Sequence, residues 1–425
     1  TDMLCQDLAW LSLDWQEGHL VGGDLGPYAQ SQRDDIYAHY YQQLLDADQA
    51  YWCFCSESAL AMQRKALLSS GKPPKYMGTC KHLSPEAIEA NKAKGLTPAL
   101  RFCMPETGTI AFEDSVKGRQ SFQCADMGDF IIKRSDGGAS FMFCNAIDDA
   151  LMGVTHALRG EDHLTNTPRQ IAVLQALNLT PPQYGHIALI LGDDRTPLSK
   201  RHGSQSVLAL REQGFLPLAI LNYLGRLGHT YAEEGLMPLA TLAEHFALEN
   251  LGTSPARFDM AQLHYWQKTA LMALSEEAFL AWAMPHMPEW VPAYKRTEMF
   301  LLMRPNVVFY QDIVIWSQAL WGDSLDYSDE AHQSFKDAGA DFFEHCIVAL
   351  MAHDGYDAAM DQIKSTTGVK GKGLFQPLRL ALTGLHGGPD LNALLTFMGH
   401  QRAVARLLAA QTSIDDTHSK GETVC

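Results

Sequence analysis

Between residues 151 and 191 the pattern of apolar residues changes period twice, and that change constrains the fold more than any other feature of the chain. Leu151 to Arg159 reads as a buried strand. A polar turn, Gly160-Glu161-Asp162-His163, separates it from a helix running from Thr167-Pro168 through Leu177, with proline in the first turn, where its missing N–H costs nothing. Gly185 to Leu191 is a second apolar run, closed by Gly192-Asp193-Asp194. Strand, helix and strand in this order form a βαβ unit, so the spacing predicts a parallel sheet and an α/β domain. The polar residues after Arg159 then fall at the carboxyl end of a parallel strand, where open α/β sheets bind ligands. Arg159 can form a bidentate pair with a carboxylate, Asp162 can accept from an amine, and Asn166 and Arg169 can line the same crevice. The acidic residues and Thr167 would equally serve to cap the helix, and the two roles are compatible.

The surrounding chain changes character along its length. Asp7 to Trp15 and Gln30 to Leu45 read as helices. Thr97 to Phe102, Thr109 to Phe112, Phe122 to Cys124, Phe130 to Lys133 and Ser140 to Cys144 read as short strands separated by turns such as Ser135-Asp136-Gly137-Gly138. From about residue 205 onward the pattern is almost wholly helical, broken at Pro285, Pro288 and Gly368 to Gly373. At 425 residues the chain is too long for one core and is expected to form two to four domains. Hydrophobic residues at 46% and charged residues at 19% exclude a predominantly disordered chain. No apolar run approaches the ~18 residues of a membrane span, and the first residues lack the basic and apolar blocks of a signal peptide, so a cytoplasmic location is expected.

Nine cysteines, an odd number spread thinly, are expected to be reduced thiols rather than a disulfide framework. Two of them stand in Tyr51-Trp52-Cys53-Phe54-Cys55 and are answered 25 residues later by Tyr76-Met77-Gly78-Thr79-Cys80-Lys81-His82. Cys53, Cys55, Cys80 and His82 are four soft or borderline ligands in two pairs, the usual composition of a tetrahedral structural zinc site. Tyr76 is an alternative oxygen ligand in place of His82. Two surface cysteines beside a turn, with no metal, fit the same spacing.

Two basic segments stand out from a chain whose formal charge is −16. Thr196-Pro197-Leu198-Ser199-Lys200-Arg201-His202-Gly203 follows the second strand of the βαβ unit, and residues 195–211 contain no acidic residue. Such a local field suits a polyphosphate, and a lysine there can neutralise charge developing on leaving pyrophosphate. A solvated basic loop is the plainer reading of the same residues. Lys364 to Arg379 is Gly-rich and carries Lys364, Lys370, Lys372 and Arg379, with no acidic residue from Gln362 to Pro389. It fits either a segment following a phosphate backbone or a solvated loop between helices.

Taken in order, these segments resemble bacterial glutamyl-tRNA synthetase, a class I aminoacyl-tRNA synthetase. The matching stretches are Leu11 to Trp15, Gly26-Pro27-Tyr28-Ala29-Gln30-Ser31-Gln32-Arg33, the cysteine pairs, Ile132 to Gly137, His156 to Gln170, Leu198 to Gly203, Leu221 to Gly228 and Thr367 to Gly384. The resemblance implies an α/β Rossmann-like catalytic domain, incomplete at its N-terminus, with a zinc-binding insert, followed by an all-α anticodon-binding region. The expected division is 1–50 and 146–204 for the two parts of the catalytic domain, 51–145 for the insert that meets the acceptor arm, 205–275 for a stem-contact helical domain and 276–425 for the anticodon-binding region.

The implied activity is ATP-dependent ligation of glutamate to tRNA through glutamyl-adenylate, with Mg2+ accompanying ATP and one structural Zn2+ per chain. On the matching positions, Lys200 would stabilise the ATP phosphates, Ser199 and Arg201 would shape that loop, and Ile190 would also contact ATP. Arg159, Asp162, Asn145 and Phe141 would surround the glutamate, while Lys370, Lys372 and Arg379 would contact tRNA. The expected form is a monomer. The helical C-terminal half argues against the shorter paralogue that glutamylates a modified base, which lacks such a domain.

Three departures from the family pattern carry expectations of their own. The amino-terminal strand with its His-x-Gly-His signature, and the family arginine for the substrate carboxylate on that strand, are not found; Gly18-His19-Leu20-Val21-Gly22 is a different motif in a different place. The chain is therefore expected to be a fragment that does not form adenylate alone. Phe141 stands where the family often has tyrosine, and Pro197 where a basic residue commonly opens the Lys-x-Ser-Lys-Arg loop. The competing expectation is a tRNA-binding paralogue, either non-catalytic or specialised to charge the tRNA for glutamine.

Overall fold

A computed structural model describes residues 2–71, 74–192, 194–198 and 206–419 of the chain. It divides into two compact units, one of Thr1–Ser204 with Leu224–Phe258, the other of Gln205–Tyr223 with Asp259–Cys425. The stretch 205–275, expected as one helical module, is thus shared between them.

The nine strands among the described residues all lie in the first unit. Strands β1 (Ala50–Cys53), β2 (Ala99–Phe102), β3 (Thr109–Asp114), β4 (Gly118–Gln123) and β5 (Phe130–Lys133) precede β6 (His156–Gly160) and β7 (Gln183–Ile187), with the two-residue β8 (Ile190–Leu191) and β9 (Ala256–Arg257) last. β6 and β7 are parallel, with Arg159 opposite His186, and the crossover between them is the helix Thr167–Ala176, as the βαβ pattern predicts. β1, β2 and β5 form an antiparallel sheet in the order β1-β2-β5, while β3 and β4 form a hairpin with Ile110 opposite Phe122. That hairpin meets β7 where the Ser115 N–H donates to the Tyr184 carbonyl at 2.9 Å.

Two sequence expectations fail for identifiable reasons. Ser140 to Cys144, read as a strand, begins the helix Phe141–Leu151, which buries Phe143, Cys144, Ala146, Ile147 and Asp148. Those positions recur at helical spacing, and a five-residue apolar window ends before that spacing can show. Leu151 to Arg159 is a strand only from His156; Gly153, at φ 64°, first turns the chain out of the preceding helix. β6 is half-exposed rather than buried, which suits a strand whose end carries ligand-facing groups.

The core of this unit gathers Tyr41, Leu44, Leu100, Phe102, Ile132, Phe143 and Val173, with Tyr41 stacked on Phe143 at 4.3 Å between ring centroids. Into its edge the helix Asp34–Asp46 brings a charge pair. Arg33 Nε donates to Asp148 Oδ1 at 2.7 Å, the Tyr37 hydroxyl donates to Asp148 Oδ2 at 2.7 Å, and Arg33 Nη1 donates to the Pro27 carbonyl at 2.8 Å. Arg33 is 2% exposed and Asp148 8%. Both carboxylate oxygens of Asp148 and the Nε and Nη1 of Arg33 are engaged, and such bonding is the condition under which burying two charges is tolerated.

The second unit is helical among its described residues. Its core is aromatic and aliphatic, built around Phe279, Phe300, Phe335, Phe343 and Leu407, all fully buried. Local signals start and stop its helices. Ser275 and Ser328 accept from the N–H groups of Ala278 and Ala331 at 3.2 Å, while Gly368 and Gly384, at φ 68° and 72°, end the helices Tyr356–Thr367 and Lys372–Thr383 in the left-handed conformation. Buried Arg406 donates to the carbonyls of Ala319, Leu382 and Gly322, tying three segments together.

Removing one partner of the Arg33–Asp148 pair leaves a buried charge uncompensated, so Asp148→Ala should destabilise the protein by about 3–5 kcal/mol. Urea denaturation followed by far-UV circular dichroism checks this, and a loss under 1 kcal/mol would mean the pair is solvated in solution.

Candidate active site and thiol cluster

Strand β6 ends on Arg159 and Gly160, and the next residues turn through a 3-10 segment, Glu161–His163, into the helix Thr167–Ala176. This turn places the crevice residues. The half-buried guanidinium of Arg159 lies over the ring of Tyr184 at 4.8 Å, and its Nη2 donates to Thr167 Oγ1 at 2.5 Å. Its Nε lies 3.3 Å from His186 Nε2. Thr167 Oγ1 is also 2.9 Å from that same nitrogen. Thr167 therefore does not cap the helix with its side chain; Asn166 holds the N-cap position without a side-chain cap bond, and the threonine hydroxyl meets Arg159 and His186, with the His163 carbonyl farther off at 3.5 Å.

Behind His186 stands Asp114, at the end of β3. Both side chains are fully buried and joined directly, His186 Nδ1 to Asp114 Oδ2. Asp114 Oδ1 also accepts the N–H groups of Val116, Lys117 and His186 at 2.9, 2.8 and 3.1 Å. Burial pushes the Asp114 carboxyl up, but the bonds from His186 and these backbone groups outweigh it and hold the pKa below its ordinary value. Burial also pulls the His186 pKa down, and nearby Arg159 and His163 add to that against the pull of Asp114.

The other expected glutamate-site residues make their hydrogen bonds and ring contacts with partners other than Arg159. Phe141, at the start of its helix, is 42% exposed and packs on His163 with 5.0 Å between ring centroids. Asp162 is exposed, its Oδ2 3.6 Å from His163 Nε2, and Asn166 Nδ2 contacts the other nitrogen of that ring at 3.1 Å. One turn along the Phe141 helix, Asn145 Oδ1 accepts from Gln30 Nε2 at 3.2 Å. No hydrogen bond or ion pair among the described residues joins Arg159 to Asp162. Asp149 lies on the same helix as Asn145. Burial raises its carboxyl to about 6, against a pull from Arg159 and with a push from Asp148.

Ser199, Lys200 and Arg201 lie outside the described residues; the approach to them is a hairpin turn. Gly192 N–H donates to the Thr196 carbonyl at 2.9 Å and Leu198 N–H to the Ile190 carbonyl at 2.8 Å, leaving Leu191 and Pro197 as a non-hydrogen-bonded pair between them. Proline at 197 thus costs the ladder no donor. Ile190 lines an apolar cavity of about 260 Å³ with Ile187, Leu224, Leu227, Tyr231 and Phe246.

At the end of β1, Cys53, Cys55 and Cys80 converge with all three sulfurs within 4.8 Å of one another. The Tyr76 hydroxyl joins them, 3.5 Å from Cys53 Sγ and 3.3 Å from Cys55 Sγ, and it accepts the Cys80 N–H at 2.9 Å. Three converging thiols are the soft donors of a structural zinc site, and the phenol oxygen stands where a fourth ligand would close it. His82 is not in this group: the turn carrying Cys80 inward, closed by Lys81 N–H on the Gly78 carbonyl at 2.9 Å, leaves His82 exposed two residues on. Arg101 stacks on the Tyr76 ring at 3.8 Å. Burial raises the Cys53 thiol, but Tyr76 and Arg101 outweigh it and hold it below its ordinary value, while burial pushes Cys55 up to about 11.

In the helical unit Lys370 and Lys372 are exposed at the turn opening the helix Lys372–Thr383. Arg379 is half-buried and spends Nη1 on the Pro389 carbonyl at 2.7 Å. It holds the loop after its own helix.

A parallel-strand crevice followed in sequence by a basic segment, with a second unit that is helical among its described residues, fits a class I synthetase. Family models agree: "tRNA synthetases class I (E and Q), catalytic domain" matches residues 1–265 and "Anticodon binding domain" matches residues 277–411. Glutamate–tRNA ligase 2 of Coxiella burnetii is 48% identical over 408 residues, 96% of this chain and 88% of that protein. Glutamate–tRNA ligase 2 of Nitrosococcus oceani is 50% identical over 419 residues, 98% and 88% of the respective chains. A crystal structure of a glutamate tRNA ligase from Elizabethkingia meningosepticum, in complex with its amino acid, superposes with a TM-score of 0.82 at 24% identity, covering 97% of this chain and 89% of that one, a likeness of fold. The chain belongs to the glutamate–tRNA ligase family.

Asp149 offers a direct test of the electrostatics around Arg159. Its folded pKa of about 6 exceeds the ordinary 3.8, so between those values the folded state binds more protons than the unfolded and stability falls as pH rises through the window. Asp149→Asn removes the cost of ionising there. Thermal melts should show the variant stabilised at pH 8, by about 1–2 kcal/mol after allowance for partial exposure, with the gain vanishing near pH 4; an equal effect at both pH values would contradict the assignment.

Proposed function

We propose that the crevice at the end of β6 binds L-glutamate for ATP-dependent ligation to tRNA (EC 6.1.1.17). Identity of 48–50% to glutamate–tRNA ligases over nearly the whole chain carries this reading. The glutamate carboxylate attacks the α-phosphate of ATP, pyrophosphate leaves, and the terminal ribose hydroxyl of tRNA then displaces AMP from the glutamyl carbonyl. Arg159 offers a planar, permanently charged donor to a carboxylate of the amino acid, held by Thr167 and His186 on one edge. Asp162 supplies an exposed carboxylate for the ammonium group. Asn145 supplies an amide, and Phe141 a ring without the hydroxyl that the family often places there. Ile190, in its apolar cavity, supports contact with the ATP base, and Lys200, with Ser199 and Arg201, neutralises the phosphates.

Cys53, Cys55, Cys80 and Tyr76 would hold one zinc ion, which when bound staples β1 to the turn at Cys80. Lys370 and Lys372 are placed to meet tRNA phosphate. Arg379 would act on tRNA through the loop it braces, since one of its donors is already spent.

Two measurements test the reading. The full-length gene product should charge tRNA with glutamate, and Lys200→Ala should lower kcat by about 100- to 1,000-fold, as loss of a preorganised donor does; unchanged turnover would remove Lys200 from the mechanism. Elemental analysis of purified protein should find about one zinc per chain, lost in Cys55→Ser but retained in His82→Ala. Retention by the first variant with loss by the second would restore His82 as the ligand.

A further inference from the structure

The donors and acceptors around His186 admit only one protonation pattern. Asp114 is an ionised carboxylate and can only accept, so His186 Nδ1 must carry the proton. Arg159 Nε can only donate, so His186 Nε2 must be bare. Thr167 Oγ1 accepts from Arg159 Nη2 and, with Nε2 bare, gives its one proton to that nitrogen at 2.9 Å rather than to the more distant His163 carbonyl at 3.5 Å. We infer that Asp114, on the β3–β4 hairpin, is a positioning residue for glutamate binding: it fixes the neutral Nδ1–H tautomer of His186, and His186 with Thr167 then aims the guanidinium of Arg159.

The hairpin is built to deliver this one carboxylate. Three backbone N–H groups, two from the hairpin turn and one from β7, pin Asp114 Oδ1 and leave Oδ2 for the imidazole. Lys117, three residues on, anchors the same turn to the Glu161 carboxylate at 2.5 Å and to the Thr253 carbonyl at 2.7 Å. Glu161 in turn accepts from the Leu189 N–H at 3.3 Å. The hairpin therefore clamps both the strand bearing His186 and the turn that begins at Arg159. An arginine held on its Nε and on one Nη2 proton keeps its other edge free for a bidentate carboxylate partner. The effect is felt in substrate affinity: with the wrong tautomer, two N–H groups face each other and Arg159 must swing away.

This rests on the assignment of Arg159 to glutamate, and the experiment separates the two claims. In the full-length enzyme, Asp114→Asn presents an amide where the carboxylate stood. Its oxygen stays with the backbone N–H groups and its NH2 faces Nδ1, forcing the proton to Nε2 against Arg159. Steady-state aminoacylation should show KM for glutamate raised roughly 10- to 100-fold, the range for a lost charge-assisted hydrogen bond, with KM for ATP nearly unchanged. His186→Gln is the rescuing variant: its amide nitrogen can donate to Asp114 while its oxygen accepts from Arg159, and it should keep KM within about threefold, whereas His186→Ala should not. If Arg159→Lys raises KM for glutamate but Asp114→Asn leaves it alone, or if His186→Gln is as impaired as His186→Ala, the positioning role is wrong. If Arg159→Lys itself has no effect on glutamate KM, the glutamate-site assignment falls first. An Asp114→Asn protein that fails to fold hands the decision to the His186 pair, whose order of KM values alone supports or overturns the inference.

Discussion

A single buried carboxylate organises the catalytic end of the first unit. Asp114 sits where water cannot reach it, so each of its lone pairs must find a donor in the protein. The donors it finds belong to two different elements, the turn of its own hairpin and strand β7. Satisfying the charge therefore fixes the hairpin against the strand, and fixes His186 and the residues that hydrogen-bond to it. Low local dielectric strengthens these bonds and makes the loss of any one costly, so the network specifies geometry more sharply than apolar packing would.

The thiol cluster follows the same logic with a softer charge. Tyr76 delivers a hydroxyl among three sulfurs while its ring is covered by Arg101, and Arg101 also favours thiolate at Cys53. A cation and a hydroxyl beside the sulfurs ready them for a divalent ion, since binding requires deprotonated thiols. The ligands come from two segments on either side of the helix Glu57–Ser69, which a shared ion would close into one unit.

How much of this was legible beforehand depended on whether the relevant partners were near in sequence. The βαβ unit was visible because its signals, a change of period and a proline in the first helical turn, are local. Arg159 was visible because it stands at the end of a strand. Asp114 and His186 were not, since they lie 72 positions apart and neither belongs to a pattern; only the pairing of hairpin and sheet brings them together. The choice between His82 and Tyr76 was left open for a similar reason. Spacing counts residues along the chain, whereas the inward face of the turn at Gly78 to Lys81 decides which side chain reaches the sulfurs. Arg379 looked like its basic neighbours in composition, yet its half-buried position commits it to a carbonyl.

Asp148 and Asp149 show how adjacent residues of one type acquire opposite duties. Successive positions on a helix point about 100° apart, so the Phe141 helix turns Asp148 toward Arg33 and Tyr37 and Asp149 toward the side of Arg159. The first is neutralised by direct contacts and holds the fold. The second is half-buried without such a partner among the described residues, and desolvation holds its carboxyl near 6. The cost is borne at a place where charge is useful: an ionised Asp149 at neutral pH counters the desolvation of Arg159, whose own pKa burial lowers. An arginine that must leave water and still meet a carboxylate substrate needs its counter-charge close but not bonded. A direct ion pair would occupy the edge the substrate requires, whereas a carboxylate acting through the field leaves that edge open.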